Sequence, residues 1–214
     1  MTSESTADGH FVLKTLPTLY INLDSRADRR ADTERECTGL GLTCERVPAE
    51  LPPEGMHPVH GCTLSHIKCL NLAKDRGWPM VLILEDDIEF CVDAAAAEKA
   101  LRPLLTGTVP FDIVMLAYND KRTPPLPPVA DIQPFGLGRP NNYFAGAAYL
   151  VHRNMYDRLL ELFKASVGKR APDVAWLPLQ RDLSVRFYYC LTRIGRQRPG
   201  YSDIQRKEVN YKGV

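Results

Sequence analysis

The segment PMVLILEDD, residues 79–87, joins a short, continuous apolar run to three consecutive carboxylates. An uninterrupted apolar run of this length is typical of a strand in the middle of a parallel sheet, where helices cover both faces. It therefore predicts an α/β fold in which Glu85, Asp86 and Asp87 lie at the carboxyl end of a central strand. Ligands of open α/β sheets bind in the crevice beyond such strand ends. The same segment thus indicates both the fold class and the position of a site.

Strand and helix patterns alternate around this segment, and this alternation predicts a doubly wound α/β sheet. The first predicted helix follows Ser25 and Asp28, which resemble a capping box, and Asp93 is expected to cap an alanine-rich helix. Predicted strands are TLYINLD, LTCERVPAE, PMVLILEDD, FDIVMLA, YFAGAAYLVH and VRFYYCL. Predicted helices are the charged stretch to Glu36, the segment TLSHIKCLNLAKDRG that begins at Thr63, AAAAEKALRPLL and RNMYDRLLELFKAS.

Length and composition are those of one globular domain. The chain has 214 residues, 44% hydrophobic and 25% charged residues, and a net charge of +1. Such a charge gives no general attraction to nucleic acid or to an anionic membrane. The polar first ten residues and the lack of a long apolar run lead us to expect a soluble, cytoplasmic protein without a transmembrane segment. We expect a disordered tail over residues 1–12 and a single domain over residues 13–214.

The cysteine spacing and a proline-rich stretch give two further predictions about the domain. None of the six cysteines forms a C-x-x-C pair, so we expect small, mostly buried, reduced side chains rather than a structural zinc site. The stretch 121–142 is rich in proline and lies between two predicted strands. A loop of this length inside a domain is usually a lid, a binding loop or a linker. We favour a lid over a binding site in the same domain.

The acidic triplet suggests a metal site. If the backbone stays extended, Glu85 and Asp87 point to one side of the strand and Asp86 to the other. Two converging carboxylates repel each other unless a cation lies between them, and carboxylate oxygens are the ligands that Mg²⁺ and Mn²⁺ prefer. Such an ion can bridge the phosphates of a nucleotide-sugar. The alternative is a strand that ends in acids which cap the next element or face solvent.

The first predicted strand ends in a second polar group. Asn22 is followed by Arg26, Arg29 and Arg30 at the start of a helix. Backbone amides and guanidinium groups in that position favour phosphate. The alternative is an exposed helix with charge pairs four residues apart.

Ser65 and His66 are adjacent on the helix that leads into the acidic strand. Their spacing assigns no Ser-His-Asp set, so we do not predict nucleophilic hydrolysis. The alternative for His66 is a packed or surface residue of the helix.

Taken in order, five stretches resemble glycosyltransferase family 25, which includes lipopolysaccharide-type and procollagen galactosyltransferases. They are YINLDSRADRR, GCTLSHIKCLNLAKDRGWPMVLILEDD, FAGAAYLVHRNMYDRLL, APDVAWLPL and RQRPGYSDIQ. The resemblance spans roughly residues 17–205. The INL-x-x-R-x-D-R opening and the pairing of SH with LEDD are its most specific parts.

The resemblance implies an A-type glycosyltransferase fold, that is, a Rossmann-like, mostly parallel sheet flanked by helices, with a UDP-sugar donor and usually manganese. By this similarity Glu85 and Asp87 are expected to bind the metal, and Asp173 and Asp87 are expected to be catalytic, with Asp173 as the base for the acceptor hydroxyl. The residues expected at the donor are Asn22, Leu23, Arg26, Arg29, Ser65, His66, Glu85, Asp86, Gly146, Ala147 and Tyr149.

One departure from the pattern concerns the metal. Many A-type transferases complete the metal site with a late histidine, but this chain has no histidine after His152. Gln197, Ser202 and Asp203 are the candidates to replace it.

The sequence therefore predicts an inverting transferase that depends on Mn²⁺ or Mg²⁺ and moves a hexose from a UDP-sugar to a hydroxyl of a glycan, protein or lipid, as in lipopolysaccharide biosynthesis. Galactose is favoured and glucose comes next. The alternative is a non-catalytic module of the same fold that binds a nucleotide or a protein through its proline-rich loop. A nucleic-acid contact by the basic stretch RIGRQRPGYSDIQRK is disfavoured by the near-neutral charge, so no nucleic-acid partner is expected.

Overall fold

A nine-stranded sheet forms the centre of the molecule. The computed structural model of the protein describes residues 11–120, 124–127 and 130–210. The strands are β1 Thr18–Asn22, β2 Cys44–Pro48, β3 Met80–Glu85, β4 Ile88–Phe90, β5 Ile113–Asn119, β6 Leu137–Gly138, β7 Phe144–His152, β8 Phe187–Cys190, β9 Gly195–Gln197, β10 Gly200–Ser202 and β11 Lys207–Val209. The helices are α1 Phe11–Lys14, α2 Ala27–Leu40, α3 Val59–Asp75, α4 Ala94–Leu105, α5 Tyr156–Ser166, α6 Pro172–Ala175 and α7 Leu177–Arg181.

The strand order is β2-β1-β3-β7-β5-β8-β6, and β9 joins the sheet by pairing with β4 and β5. β1 is parallel to β2 and β3, and β5 is parallel to β8. β7 lies antiparallel between β3 and β5, and β6 is antiparallel to β8. The predicted mostly parallel α/β sheet is therefore confirmed, with β7 inserted against the direction of its neighbours.

Helices cover both faces of this sheet, which explains the continuous apolar run in β3. Ile83 faces the core under α3, α5, α6 and α7, where Leu70 and Trp176 are buried. Leu84 faces the opposite core, under α1, α2 and α4, together with Leu101. Since successive side chains of a strand point to opposite faces, a strand covered on both sides needs an apolar residue at every position.

The sequence predicted the main helices, but it was wrong about how α2 is capped and where α3 begins. Asp93 caps α4 by accepting a hydrogen bond of 2.8 Å from the amide of Ala96, as expected. The predicted capping box is wrong, because Arg26 is the N-cap of α2 and Asp28 pairs with its guanidinium group. α3 begins at Val59, four residues before the predicted start, because the fixed φ of a proline, here at position 58, suits a helix start.

The proline-rich stretch is better ordered at its end than expected. Its described part contains a 3₁₀ turn, Gln133–Phe135, and β6, which pairs with β8. The amide of Leu126 also donates to the carbonyl of Arg139 at 3.2 Å. β5 and β7, which precede and follow the stretch, pair directly in one sheet.

The polar carboxyl-terminal stretch contains strands that the sequence did not indicate. β9 enters the main sheet, and β10 and β11 form a separate antiparallel pair. At the other end, most of the predicted disordered tail lies outside the described residues, and its last two residues begin α1. Across residues 11–120, 124–127 and 130–210, no helix has both the length and the apolar character that a membrane crossing needs.

The cysteines differ from the expectation of six reduced, mostly buried thiols. Cys37 at the end of α2 and Cys44 at the start of β2 form a disulfide. Cys91 is exposed. The pairing arises because α2 ends at Gly41, in the left-handed conformation, and the chain turns back at once into β2.

Candidate active site

The acidic triplet lies where β3 gives way to β4. β3 ends at Glu85, and Asp86 and Asp87 form a turn. The expectation of an extended backbone through Asp87 is therefore wrong. β4 has to leave the direction of β3 to pair with β9, and the carbonyl of Asp87 accepts a 2.6 Å hydrogen bond from the amide of Arg198. The turn sends the three carboxylates to three different sets of partners.

Asp86 is fixed by two donors from the β1–α2 region. Asn22 Nδ2 and Arg29 Nη1 each donate to its carboxylate at 2.8 Å. Asn22 is itself 1% exposed, and its Oδ1 accepts from Arg46 Nε at 2.9 Å. Burial raises the pKa of Asp86, and the charge of Arg29 opposes this shift. Asn22 therefore orients the carboxylate of Asp86 and is itself too buried to face a ligand.

Asp87 is the carboxylate with an unused oxygen. Gln197 Nε2 lies 3.3 Å from its Oδ2, while its Oδ1 is buried and has no hydrogen-bond partner among the described residues. Burial raises the pKa of Asp87 to about 7, and the charges of Glu85 and Asp86 add to the rise. A buried, unsatisfied acceptor in a folded protein usually indicates a ligand, a water or an ion.

Of the three residues expected to replace a late histidine, Gln197 contacts Asp87. The other two have different partners: Ser202 Oγ accepts from the amide of Gln205, and Asp203 pairs with Arg26. The oxygen and the nitrogen of a glutamine amide exchange places when the group flips, so either atom of the Gln197 amide can face Asp87.

A pocket of about 260 Å³ opens beside Asp86 and Asp87. Three guanidinium groups and five carboxylates line it. They belong to Arg26, Arg29, Arg198, Asp28, Asp32, Asp86, Asp87 and Glu208. A larger groove of about 520 Å³ lies between β2 and α3, but no residue of the acidic turn lines it. The smaller pocket is the candidate site, because it lies beside the turn at the end of β3 and is lined by many charged side chains.

The arginines of this pocket all have partners. Arg26 pairs with Asp28 and Asp203. Arg29 Nη2 donates to the carbonyl of Tyr201 at 2.6 Å in addition to its bond to Asp86. Since Tyr201 and Asp203 belong to the β10–β11 region, these bonds hold that hairpin as one wall of the pocket. Sequence reasoning missed this wall, because the hairpin was not predicted.

Glu85 faces α3 instead. Its Oε1 lies 3.0 Å from His66 Nε2, and His66 Nδ1 lies 2.9 Å from the hydroxyl of Tyr149. Gly146 on β7 completes this group, because a Cβ there would lie 3.0 Å from Glu85 Oε1. The close approach of β7 to the acidic turn therefore favours glycine, because a larger residue would displace the carboxylate of Glu85.

Cys62 belongs to the same group and was not predicted as a site residue. Its Sγ lies 3.8 Å from Glu85 Oε1. Burial raises the pKa of the Cys62 thiol well above its usual range, and the charges of Glu85 and Asp173 contribute. The signal was present in the sequence, since Cys62 and His66 are four residues apart and share one helix face.

Asp173, the predicted base, lies at the start of α6. Its Oδ2 accepts a 3.2 Å hydrogen bond from the amide of Ala145. Ala145 has a φ of +83°, a conformation that non-glycine residues rarely adopt and that is often found at functional sites. Because Ala145 precedes Gly146, which lies against Glu85 and His66, this bond brings Asp173 near the group around Glu85.

Three residues expected at the donor lie elsewhere or act indirectly. Ser65 is fully buried, and its hydroxyl donates to the carbonyl of Gly61 and accepts from the amide of Glu50, each at 2.8 Å. Ala147 is fully buried in the core under α1, α2 and α4. Leu23 contributes its carbonyl to the turn before α2.

Solved structures with a similar fold include glycosyltransferases. A glycosyltransferase involved in the glycosylation of the major capsid of PBCV-1 shares 9% identity over 89% of this chain and 96% of that chain, with a TM-score of 0.51. Mannose-1-phosphate geranyltransferase from Thermus thermophilus shares 12% identity over 85% and 75% of the two chains, with a TM-score of 0.45. The glycosyltransferase GlyE of Streptococcus pneumoniae shares 10% identity over 81% of this chain but 44% of that chain, with a TM-score of 0.44.

The first of these similarities, together with the strand order, confirms the predicted A-type fold class. At 9% identity it shows a shared fold and nothing about the reaction. Neither a protein-family model nor a curated protein matches the sequence. Membership of family 25 therefore stays a resemblance.

The raised pKa of Asp87 predicts a pH dependence of stability in the metal-free protein. The pKa is about 7 in the folded state and about 3.9 in an unfolded chain. Between these values the folded state binds more protons, so the free energy of unfolding falls as the pH rises from about 4 to about 7 and then levels off. The full effect is about 4 kcal/mol.

We expect Asp87→Asn, which cannot ionise, to flatten this profile and to be more stable than the wild type above about pH 7 in a chelator. Urea unfolding across this pH range measures it, with the exposed Asp131 changed to Asn as the matched control. Parallel profiles for the wild type and Asp87→Asn would show that Asp87 ionises normally.

Proposed function

We propose that this protein is a metal-dependent glycosyltransferase that transfers a hexose from a UDP-sugar to an acceptor hydroxyl. The observation that carries the proposal is the acidic turn at the carboxyl end of β3, where a buried oxygen of Asp87 has no partner within the described part of the chain and lies beside a pocket lined with arginines. The A-type fold and the resemblance of the sequence to family 25 support it.

The charges of the pocket favour a requirement for a divalent cation. Five carboxylates against three guanidinium groups leave the pocket acidic, and each guanidinium is already paired. A diphosphate brought into such a pocket meets net repulsion. The residues present fit a hard cation, because Asp87 Oδ1 is an oxygen donor of the kind that Mg²⁺ and Mn²⁺ bind. Gln197 directs Nε2 at Asp87 and Oε1 at Asn119, and a flip of its amide would turn the oxygen towards Asp87. Such an ion, when bound, supplies positive charge to the leaving diphosphate.

The residues around the pocket then have distinct roles. Asp86, held by Asn22 and Arg29, keeps the turn in place and positions Asp87. Arg26 and Arg29 line the pocket at the start of α2, where guanidinium groups can exchange a carboxylate or carbonyl partner for a phosphate oxygen. The pocket of about 260 Å³ suits the phosphate part of a donor rather than the whole molecule, since complete ligand sites are typically about 300–1,000 Å³.

We assign the acceptor side to the group around Asp173. Its carboxylate would take the proton of the acceptor hydroxyl, as inverting transfer requires, and the amide of Ala145 orients it. UDP-galactose is the first donor to test and UDP-glucose the second, on the strength of the family resemblance. The proline-rich stretch remains our candidate for a lid over the acceptor.

One observation favours the alternative of a non-catalytic binding module. Arg26 and Arg29 are bonded to the β10–β11 hairpin, so a ligand phosphate would have to displace these internal bonds. A protein that binds UDP with metal but shows no turnover in a broad screen of donors and acceptors would establish that alternative.

The metal requirement gives a direct test. We expect UDP with Mn²⁺ to raise the stability of the protein by about 2.7 kcal/mol at 100-fold saturation, because binding to the folded state stabilises it by mass action. UDP with a chelator should give no shift. Thermal unfolding measures this, with Asp87→Asn expected to lose the effect and Asp75→Asn, an exposed change at the end of α3, to keep it. An equal shift by UDP in chelator would contradict a bridging cation.

The role of Asp173 is tested by Asp173→Asn. An asparagine still accepts the hydrogen bond from Ala145, so the local structure is kept while the base is lost. We expect turnover to fall by about 10²–10⁴-fold. Release of UDP from UDP-galactose in an acceptor screen measures the rate, and the stabilisation by UDP and Mn²⁺ should not change. Turnover close to that of the wild type would exclude Asp173 as the base.

A further inference from the structure

A second group of metal-ligand atoms lies on the α3 side of the acidic turn. It consists of Cys62 Sγ, His66 Nε2 and one carboxylate oxygen of Glu85, and these atoms all lie within 4.8 Å of one another. The group differs in chemistry from the Asp87 side, because it offers a sulfur and an imidazole nitrogen together with a single oxygen. Thiolate and imidazole select soft or borderline ions, whereas Mg²⁺ and Mn²⁺ prefer oxygen.

The spacing of the atoms fits a tetrahedral ion. Glu85 Oε1 lies 3.0 Å from His66 Nε2 and 3.8 Å from Cys62 Sγ. Zinc binds nitrogen and oxygen at about 2.0–2.2 Å and sulfur at about 2.3 Å, so neighbouring ligand atoms of a tetrahedral site are roughly 3.5 Å apart. Small side-chain movements are therefore enough for the three atoms to bind one ion.

The surrounding structure holds these ligands in place. Cys62 and His66 are four residues apart on α3 and project from one face of the helix. The hydroxyl of Tyr149 contacts His66 Nδ1, which fixes the ring and leaves Nε2 directed at Glu85. Gly146 packs its backbone against the group, because a Cβ there would lie 3.0 Å from Glu85 Oε1 and 3.4 Å from His66 Nε2. The side chain of Glu85 is 19% exposed, so solvent can supply a further ligand to an ion bound by the three residues.

We propose that Cys62, His66 and Glu85 form a binding site for a soft divalent cation of the zinc class, separate from the hard-cation site at Asp87. Glu85 and Asp87 lie two residues apart, but Glu85 faces Cys62 and His66 on α3, whereas Asp87 faces Gln197 on β9, and the two sites use different donor atoms. The proposal does not depend on the proposed function, since it rests on the Cys62 group alone.

Cadmium is the probe, because a cadmium-bound thiolate gives a near-ultraviolet charge-transfer band that oxygen ligands do not give. We expect the wild-type protein, with the Cys37–Cys44 disulfide intact and the other thiols unoxidised, to develop this band with one equivalent of Cd²⁺, and Zn²⁺ to remove it by competition. Cys91→Ser, which removes the exposed thiol, is the matched control and should keep the band. Cys62→Ser should lose it.

Two further variants separate binding from misfolding. Thermal unfolding without metal establishes that Cys62→Ser is folded. Tyr149→Phe retains all three ligands and removes only the contact to His66, so the affinity for Cd²⁺ should fall by about 10–100-fold. Glu85→Gln, which keeps the thiol, should also weaken binding. The proposal is overturned if the wild type shows no band, if Cys62→Ser keeps it, or if Cys91→Ser alone removes it.

The two sites can be told apart in the same experiments. Asp87→Asn should keep the cadmium band, because Asp87 is not one of the three ligands. Cys62→Ser should keep the stabilisation by UDP and Mn²⁺, because its thiol lies on the α3 side of the turn. Loss of both responses in either variant would show a single shared site and would contradict the separation proposed here.

Discussion

The repulsion among Glu85, Asp86 and Asp87 is the physical constraint on which the site depends. Two like charges about 4 Å apart repel by about 4 kcal/mol at the effective dielectric of a protein surface, and these three carboxylates occupy consecutive positions. The turn after β3 relieves part of this cost by directing each carboxylate to its own partners. Glu85 faces His66, Asp86 faces Arg29 and Asn22, and Asp87 faces Gln197.

The part of this repulsion that the turn does not relieve acts on Asp87. Among the residues that the structure describes, it has one donor, Gln197 at 3.3 Å, and its buried Oδ1 has no partner, while burial raises its pKa to about 7. A protein that needed only a stable turn would place asparagine or glycine there. Retaining a carboxylate that destabilises the metal-free protein at neutral pH is consistent with binding a cation, because active sites commonly give up stability for function.

The rest of the fold brings the partners of the turn together. β1 ends beside β3, so Asn22 reaches Asp86 directly from the neighbouring strand. β7 runs antiparallel next to β3 and brings Gly146 and Tyr149 to the group around Glu85. β9 pairs with β4 and brings Gln197 to Asp87. The parts of the site that come from β1, β3 and β7 have strong apolar patterns, and the sequence therefore located them.

The parts that the sequence did not locate depend on tertiary contacts. Extending β3 through Asp87 was wrong, because the strand ends where β4 pairs with β9, and β9 is too short and polar to show a strand pattern. The family resemblance predicts Ser65 at the donor, but adjacent helix residues face different directions, and its hydroxyl bonds within α3 and to the loop at Glu50. Cys62 lies four residues from His66, a spacing that only matters once Glu85 is known to face α3.

The most direct test of this account is the affinity for Mn²⁺ of three single variants, Glu85→Gln, Asp86→Asn and Asp87→Asn, measured by equilibrium titration in the absence of nucleotide. Asp87 has the unused buried oxygen, whereas Asp86 is already held by Asn22 and Arg29. The account predicts the largest loss of affinity for Asp87→Asn and a smaller, indirect loss for Asp86→Asn. A weaker affinity in Asp86→Asn than in Asp87→Asn would contradict it.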